Sequence, residues 1–522
     1  MITDEKPPSW IDHAVMKSFP QFNVEMLLVI IILVVAVISR FYDLGARVMS
    51  HDETNHVVPS YSLYQGKGYQ YDPITHGPLQ FHLIALSYFI LGDSDFSSRV
   101  PAALFSIGTI ALVLFGFRRY LSRVGALIAG FLFLVSPYML FYGRYARDEA
   151  LYVLFTVFIL WSLLCYLKTG EKKYLYCLSV GMALNFVTME SAYIYTAQAL
   201  LFTAFLFIEQ ISRKRWYRHD YQVNFIYAFG LTIILAFVSL AGLVLGENPI
   251  ATPNGTTVAT ATRGLSFLST LTPVAKIIVP LSLAGLLVFG IATIYFLVKG
   301  AGLALIRNER SFDLLVLSFV LVLPLLTAFP VKIFGFDPLD YSSTGALRTA
   351  AFLVPLTIIA VVIGWWWNWR QFLKNAALFY VIFTVFYTTF FTYGAGFFVG
   401  IVGALGYWLA QQAVQRGSQP WYYYAFIQIP IYEYLPAIGA LLAAIIGIRH
   451  RLWVTAPEKP FERAYLQPEI IESSEDGLDE DMKLDQVEDL DEDIEEIVKE
   501  ENIELTQTDT LPKSTELRPA RR

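Results

Sequence analysis

Charge is what this sequence has least of. Only 16% of its 522 residues are Asp, Glu, Lys or Arg, against 56% hydrophobic ones, and the mean hydropathy is +0.51. A chain so poor in charge cannot keep its surface in water throughout, which excludes a wholly soluble globular protein. Cysteine is almost missing as well. Cys165 and Cys177 lie in or beside apolar stretches and form no C-x-x-C, so neither a disulfide framework nor a cysteine metal site is implied. Nor does the N-terminus resemble a cleavable leader, and none is expected. Residues 1–22 are mixed and polar, and the apolar run after them is long enough to span, so it reads as a retained anchor.

What is present is a succession of apolar runs close to the roughly 20 residues that cross 30 Å of hydrocarbon at 1.5 Å per residue. They fall near residues 24–40, 100–118, 124–142, 150–167, 173–189, 192–209, 222–246, 277–298, 312–330, 347–367, 374–393 and 434–449. The expected fold class is an all-α polytopic membrane protein with about a dozen transmembrane helices. The run from Leu79 to Leu91 is short for a crossing and suits an interfacial or re-entrant helix.

The net charge of −6 hides two opposed regions. From Glu458 to Arg522 there are 22 acidic and 8 basic residues, net −14, which leaves 30 basic and 22 acidic residues, net +8, on the body. Cytoplasmic loops of membrane proteins collect Lys and Arg. With the N-terminus inside, 19 of the body's 30 cations fall on that side, which predicts that both termini are cytoplasmic. The expected organisation is a cytoplasmic segment 1–23, a transmembrane domain 24–450 and an acidic, disordered tail 451–522 that offers a surface to a protein partner. Long segments 41–99, 247–276 and 394–433 then face the exterior of the plasma membrane. The third is rich in Tyr and Trp, which favour the headgroup level, so it is expected to lie on the membrane.

Chemistry-bearing residues gather on that exterior side. His51-Asp52-Glu53 follows the first span, and two adjacent carboxylates there suit a proton acceptor with an orienting partner, or an ordinary solvated loop start. His51, His56 and His76 match no standard metal-ligand spacing. Arg144-Tyr145-Ala146-Arg147-Asp148-Glu149 sets four charges beside hydrocarbon, where each would cost about 2.5–3.5 kcal/mol at the membrane centre, so they must face water or one another. Arg99 begins the second span and can grip a phosphate or snorkel to headgroups. Glu190 and Arg348 map to exterior span ends as well.

In that order, Asp52-Glu53, His76-Gly77-Pro78, Arg99-Val100-Pro101 and Arg144 with Arg147-Asp148-Glu149 resemble the protein O-mannosyltransferase and aminoarabinose-transferase superfamily of lipid-dependent glycosyltransferases, with its C-type fold. Tyr407-Trp408 and the run from Arg416 to Tyr424 are similar to the "flippase activity-associated" branch of archaea and some bacteria. The resemblance implies an inverting transferase. It would take a sugar from a polyprenyl-phosphate donor on the exterior leaflet and pass it to a hydroxyl of a glycan, glycolipid or protein acceptor. Its interfacial helices would lie in the first exterior loop. A lipid phosphate leaves as a stable anion and needs electrostatic stabilisation more than a proton. The acceptor hydroxyl must lose its proton, and Asp52 is the expected base. Glu53 and either Asp148 or Glu149 would orient hydroxyls; the resembled motif runs Arg-Asn-Asp, so which carboxylate acts stays open. Arg99 and Arg147 would hold the phosphate, with His76, Arg144 and Arg348 as further binding residues. Neither a metal, a nucleotide nor nucleic acid is expected; membrane lipids are. A flippase or transporter of lipid-linked sugars is the competing class, although the paired broken spans of transporters are not evident. A scaffold recruiting partners through the acidic tail is a third.

Overall fold

The computed structural model describes residues 10–16, 19–245, 272–411 and 423–450. Two compact units are distinguished, Met1–Ala443 and Ala444–Arg522, and the site described below belongs to the first. The acidic tail and residues 416–422 of the aromatic segment lie outside the described residues.

A two-stranded antiparallel hairpin, Ala14–Met16 with Phe19–Asn23, precedes the helices. These are α1 (Val24–Phe41), α2 (His51–Tyr64), α3 (Leu79–Leu91), α4 (Asp95–Gly116), α5 (Arg118–Val135), α6 (Pro137–Tyr142), α7 (Glu149–Thr169), α8 (Lys173–Phe186) and α9 (Ala192–Arg213). There follow α10 (His219–Leu245), α11 (Ala275–Ala301), α12 (Leu303–Arg307), α13 (Arg310–Val322), α14 (Ala328–Ile333), α15 (Ser343–Tyr387), α16 (Gly396–Gln411) and α17 (Tyr434–Arg449). The fold is the helical membrane architecture expected.

Among the described residues eight helices are long and apolar enough to cross a membrane, or up to nine if the bent pair Phe426–Tyr432 and Tyr434–Arg449 is one crossing. The expected dozen is therefore not reproduced by this count, for identifiable reasons. The expected crossings 347–367 and 374–393 enter this count as one 45-residue element, α15, although the non-helical Asn368 (φ −164°, ψ 97°) divides it into two helices at the expected break. Helix α5 starts with Arg118 and Arg119 and carries Arg123, which shortens its apolar length, and it stops before Ser136-Pro137. Helix α8 has 14 residues because the chain turns back at Val187 toward Glu190.

The largest core joins α7, α8, α13 and α15, with Leu163, Leu178, Leu317, Phe379 and Phe383 all buried in it. The first part of the aromatic segment is not a loop lying on the membrane. It forms α16, and the stretch Val399–Gly406 is buried in the protein.

One end of this bundle is roofed by the chain between α1 and α4. Helix α3 buries Leu79, Phe81, Ile84 and Tyr88 against the protein and leaves Phe89 and Ile90 exposed. Ahead of it, Gly77 N–H donates to Thr188 O and Leu79 N–H to Val187 O, both at 3.0 Å. The approach is so close that a Cβ on Gly77 would sit 2.3 Å from the Val187 carbonyl oxygen, so only glycine fits. Thr389, just beyond α15, donates its hydroxyl to Tyr69 O, and Tyr71 packs edge-on against Tyr387 at 4.6 Å.

Candidate active site

Helix α2 begins with a capping box, in which the Ser50 hydroxyl accepts from Glu53 N–H and the Glu53 carboxylate accepts from Ser50 N–H. This fixes where the first turn points. Neighbours on a helix of 3.6 residues per turn diverge by about 100°, so Asp52 and Glu53 go different ways. Glu53, His56 and Ser60 form the buried stripe, while Asp52 is 56% exposed.

Glu53 accepts from Arg99 Nε at 2.8 Å and Arg99 Nη2 at 3.1 Å, from Arg47 at 3.0 Å and from Ala146 N–H at 3.1 Å. Burial by itself would raise its pKa. The Arg99 bonds, with the backbone donors of Ser50 and Ala146, outweigh that and hold it below the ordinary glutamate value. Arg99 is equally committed, since its Nη1 donates to Leu44 O and Arg47 O at 2.9 Å and the residue is fully buried. The expectations that Arg99 grips phosphate and that Glu53 orients hydroxyls are therefore corrected. The two saturate each other and clamp the roof to α4.

Two more arginines are also placed elsewhere. Arg144 donates to Ser39 O, Tyr42 O and Asp43 O, supplying the carbonyls that the C-terminus of α1 leaves open. Arg348 is exposed on the first turns of α15, with its guanidinium 5.0 Å from the Phe336 ring, and makes no described contact with the cluster.

The groups that do meet are Asp52, His76, Arg147 and Glu149. Arg147 Nη1 donates to Asp52 Oδ2 at 3.1 Å, its Nε lies 3.4 Å from Glu149 Oε1, and its Nη2 is 3.5 Å from His76 Nε2. His76 has φ +67°, a conformation uncommon outside glycine. Its Nδ1 bonds Glu190 Oε2 at 2.7 Å, and the paired backbone at Gly77 and Leu79 holds the turn that imposes this φ. Burial would lower the His76 pKa, but the Glu190 hydrogen bond and charge raise it above the ordinary histidine value. Asp148 lies beneath the array, fully buried, with His56 Nδ1 3.8 Å from its Oδ2.

An apolar groove of about 360 Å³ lies alongside, lined by Leu132, Phe133, Met139 and Val153, with Tyr138 and Glu433 among its polar members. Tyr138 is near enough to Glu149 to feel its charge. Glu433 accepts from Ser136 Oγ at 2.8 Å and Tyr138 N–H at 2.9 Å, which ties the end of the aromatic segment to α6. Sequence reading had not singled out Glu433 or Arg47. For Glu433, the one signal was an acid standing alone in an apolar run. Among the described residues no group of three or more His, Cys, Asp and Glu is arranged to hold a metal ion.

The array offers one exposed carboxylate, one half-open guanidinium and a polar-to-apolar boundary, which suits an amphiphile with an anionic headgroup. Residues 75–241 match the model of the dolichyl-phosphate-mannose-protein mannosyltransferase family; this stretch contains His76, Arg99, Arg144 to Glu149 and Glu190, but not Asp52 or Glu53. No curated protein matches the sequence. Among solved structures, the chain is similar to the archaeal oligosaccharyltransferase AglB from Archaeoglobus fulgidus in complex with an inhibitory peptide and a dolichol-phosphate. Identity is 14%, coverage is 84% of this chain and 57% of that one, and the TM-score is 0.33. It is also similar to ArnT from Cupriavidus metallidurans bound to undecaprenyl phosphate, at 14% identity over 73% of this chain and 78% of that one, with a TM-score of 0.32. The chain thus spans little more than half the length of the oligosaccharyltransferase. The family match covers residues 75–241, about a third of the chain, and over that stretch the chain is similar to a family of glycosyltransferases that use a polyprenyl-phosphate-linked sugar, in keeping with the resemblance of its motifs.

Proposed function

We propose that this protein transfers a sugar from a polyprenyl-phosphate donor to an acceptor hydroxyl, with inversion, on the exterior side of the membrane, and that both termini are cytoplasmic. The observation that carries this reading is the meeting of Asp52, Arg147 and Glu149 beside an apolar groove. In the proposed step the acceptor oxygen bonds to the sugar C1, the bond from C1 to the phosphate oxygen breaks on the opposite face, and the hydroxyl proton passes to Asp52. The leaving phosphate keeps both electrons of that bond as an anion.

Asp52 is suited to the base role because it is the exposed member of the acidic pair and has only one partner among the described residues. Arg147 is the partly exposed guanidinium of the cluster, its side chain 19% exposed, and it receives the phosphate in place of Arg99. Of the two acids left open by the motif, Glu149 is the one that acts. It is in contact with Arg147 and orients the sugar or acceptor hydroxyls, whereas Asp148 is fully buried. The isoprenoid chain occupies the groove along α5 and α7, whose apolar lining makes extraction from lipid cost little.

The test is Asp52→Asn in membranes supplied with a polyprenyl-phosphate sugar and a hydroxyl acceptor extract. Transfer should fall to background while donor binding persists. Transfer at the unsubstituted rate would overturn the mechanism.

A further inference from the structure

Two side chains beneath the Asp52–Arg147–Glu149 array have no part in the transfer step, and both are buried, Asp148 at 0% and His56 at 3% exposure. Asp148 immediately precedes α7, yet its side chain does not cap that helix. Neither of its oxygens has a hydrogen-bond partner among the described residues, and neither has His56 Nδ1, which points toward it from α2 at 3.8 Å. Phe81 stacks on the His56 ring at 5.3 Å and shields it from water.

A carboxylate without a donor on either oxygen is heavily penalised in such a place, and an imidazolium–carboxylate pair fares little better when its remaining valences stay empty. The surroundings act in the same sense. Facing Asp148 are His56 from α2, Tyr69 and His76 from the chain between α2 and α3, Glu190 from the turn between α8 and α9, and Arg147 and Glu149 on its own segment. Burial pushes Asp148 well above the usual carboxylate range, and burial together with Arg147 and His76 pushes His56 down to about 3.

We propose that Asp148 and His56 are positioning residues that stay uncharged, a carboxylic acid facing a neutral imidazole, and so withhold one negative charge from a pocket that must admit an anionic headgroup. With His76 protonated, Arg147 and His76 set two positive charges against the carboxylates of Asp52, Glu149 and Glu190, and an ionised Asp148 would add a fourth negative one. The role assigned to the pair in admitting an anion rests on the reading of Arg147 given under the proposed function; the protonation state does not.

Difference infrared spectroscopy on the full-length protein in detergent, unsubstituted against Asp148→Asn, reads the acid directly and needs no donor. A protonated-carboxyl C=O band at pH 7 is expected in the unsubstituted protein, absent from Asp148→Asn and shifted in His56→Gln. If no such band distinguishes unsubstituted protein from Asp148→Asn, the pair is ionised and the proposal is overturned, whatever Asp52→Asn does to transfer. The second readout is the donor KM against pH. In the unsubstituted protein it should rise on the alkaline side as Asp148 ionises, by at most about tenfold per pH unit for a single proton, and in Asp148→Asn only the smaller rise from the deprotonation of His76 should remain. An identical alkaline rise in the variant would overturn the charge-withholding role even with the infrared band in place.

Discussion

Two clusters built from adjacent letters of the sequence behave in opposite ways. Around Glu53 and Arg99 both charges are buried and answered, with four donors, the half-exposed Arg47 among them, converging on one carboxylate. Around Asp52 and Arg147, a few ångströms of chain away, the charges are half-open and loosely held, at 3.1–3.5 Å with hydrogen-bonding capacity to spare. The first arrangement makes a joint and the second a receptacle. A saturated ion pair cannot bind a further ligand without breaking, whereas a guanidinium touching three partners weakly can exchange one for a phosphate.

Mutation can break this contrast from either side. The largest effect is expected at the receptacle: Asp52→Asn should slow transfer by about 10²–10⁴-fold, the usual worth of a general base, with the unfolding temperature in detergent nearly unchanged. At the joint the signature reverses. Arg99→Ala should cost about 3–5 kcal/mol of stability by leaving Glu53 buried and alone, seen as lost expression or a lowered unfolding temperature, and an Arg99→Ala protein of unaltered stability would show that the clamp bears no strain. Gly77→Ala should follow at about 1–3 kcal/mol, since the Val187 carbonyl cannot retreat from the new methyl group.

Arg147→Lys sharpens the distinction further. It keeps the charge but loses the fork, so the donor KM should rise about tenfold, roughly the 1.5 kcal/mol of one charge-assisted hydrogen bond, with stability unaffected. The smallest effect is a pH dependence at His76. Its folded pKa is raised above the ordinary 6.5 by Glu190, so the stabilisation is fully present below 6.5 and is lost as pH rises through the folded value. The unfolding temperature of the unsubstituted protein should therefore exceed that of His76→Gln most in mildly acidic buffer and converge with it in alkaline buffer. A gap that widens with pH would show that the pair is not an ion pair.

Much of the architecture was legible as hydropathy, because a crossing must be apolar for a fixed length whatever it packs against. The number of crossings was less so. The break between 367 and 374 was legible and falls at Asn368, beside Arg370 and Lys374, but α8 is ended by a backbone turn whose partners are more than a hundred residues upstream, at Gly77 and Leu79. The site was legible as a neighbourhood. Asp52, His76, Arg147 and Glu149 do converge, but Arg99 and Arg144 read as equally good phosphate ligands because a sequence does not say which arginines already have acceptors.

By itself the sequence determined that this chain lives in lipid, that its carboxylates and arginines collect at helix ends on one side, and which superfamily it resembles. Those properties depend on composition and order along the chain. The tertiary structure alone decided which charges are spent on holding the protein together and which remain for a ligand. A hydrogen-bonding group has few valences, and whether they are filled depends on residues distant in sequence: Glu53 by Arg99 and Ala146, Arg144 by Ser39 and Tyr42, and Asp148 by none among the described residues.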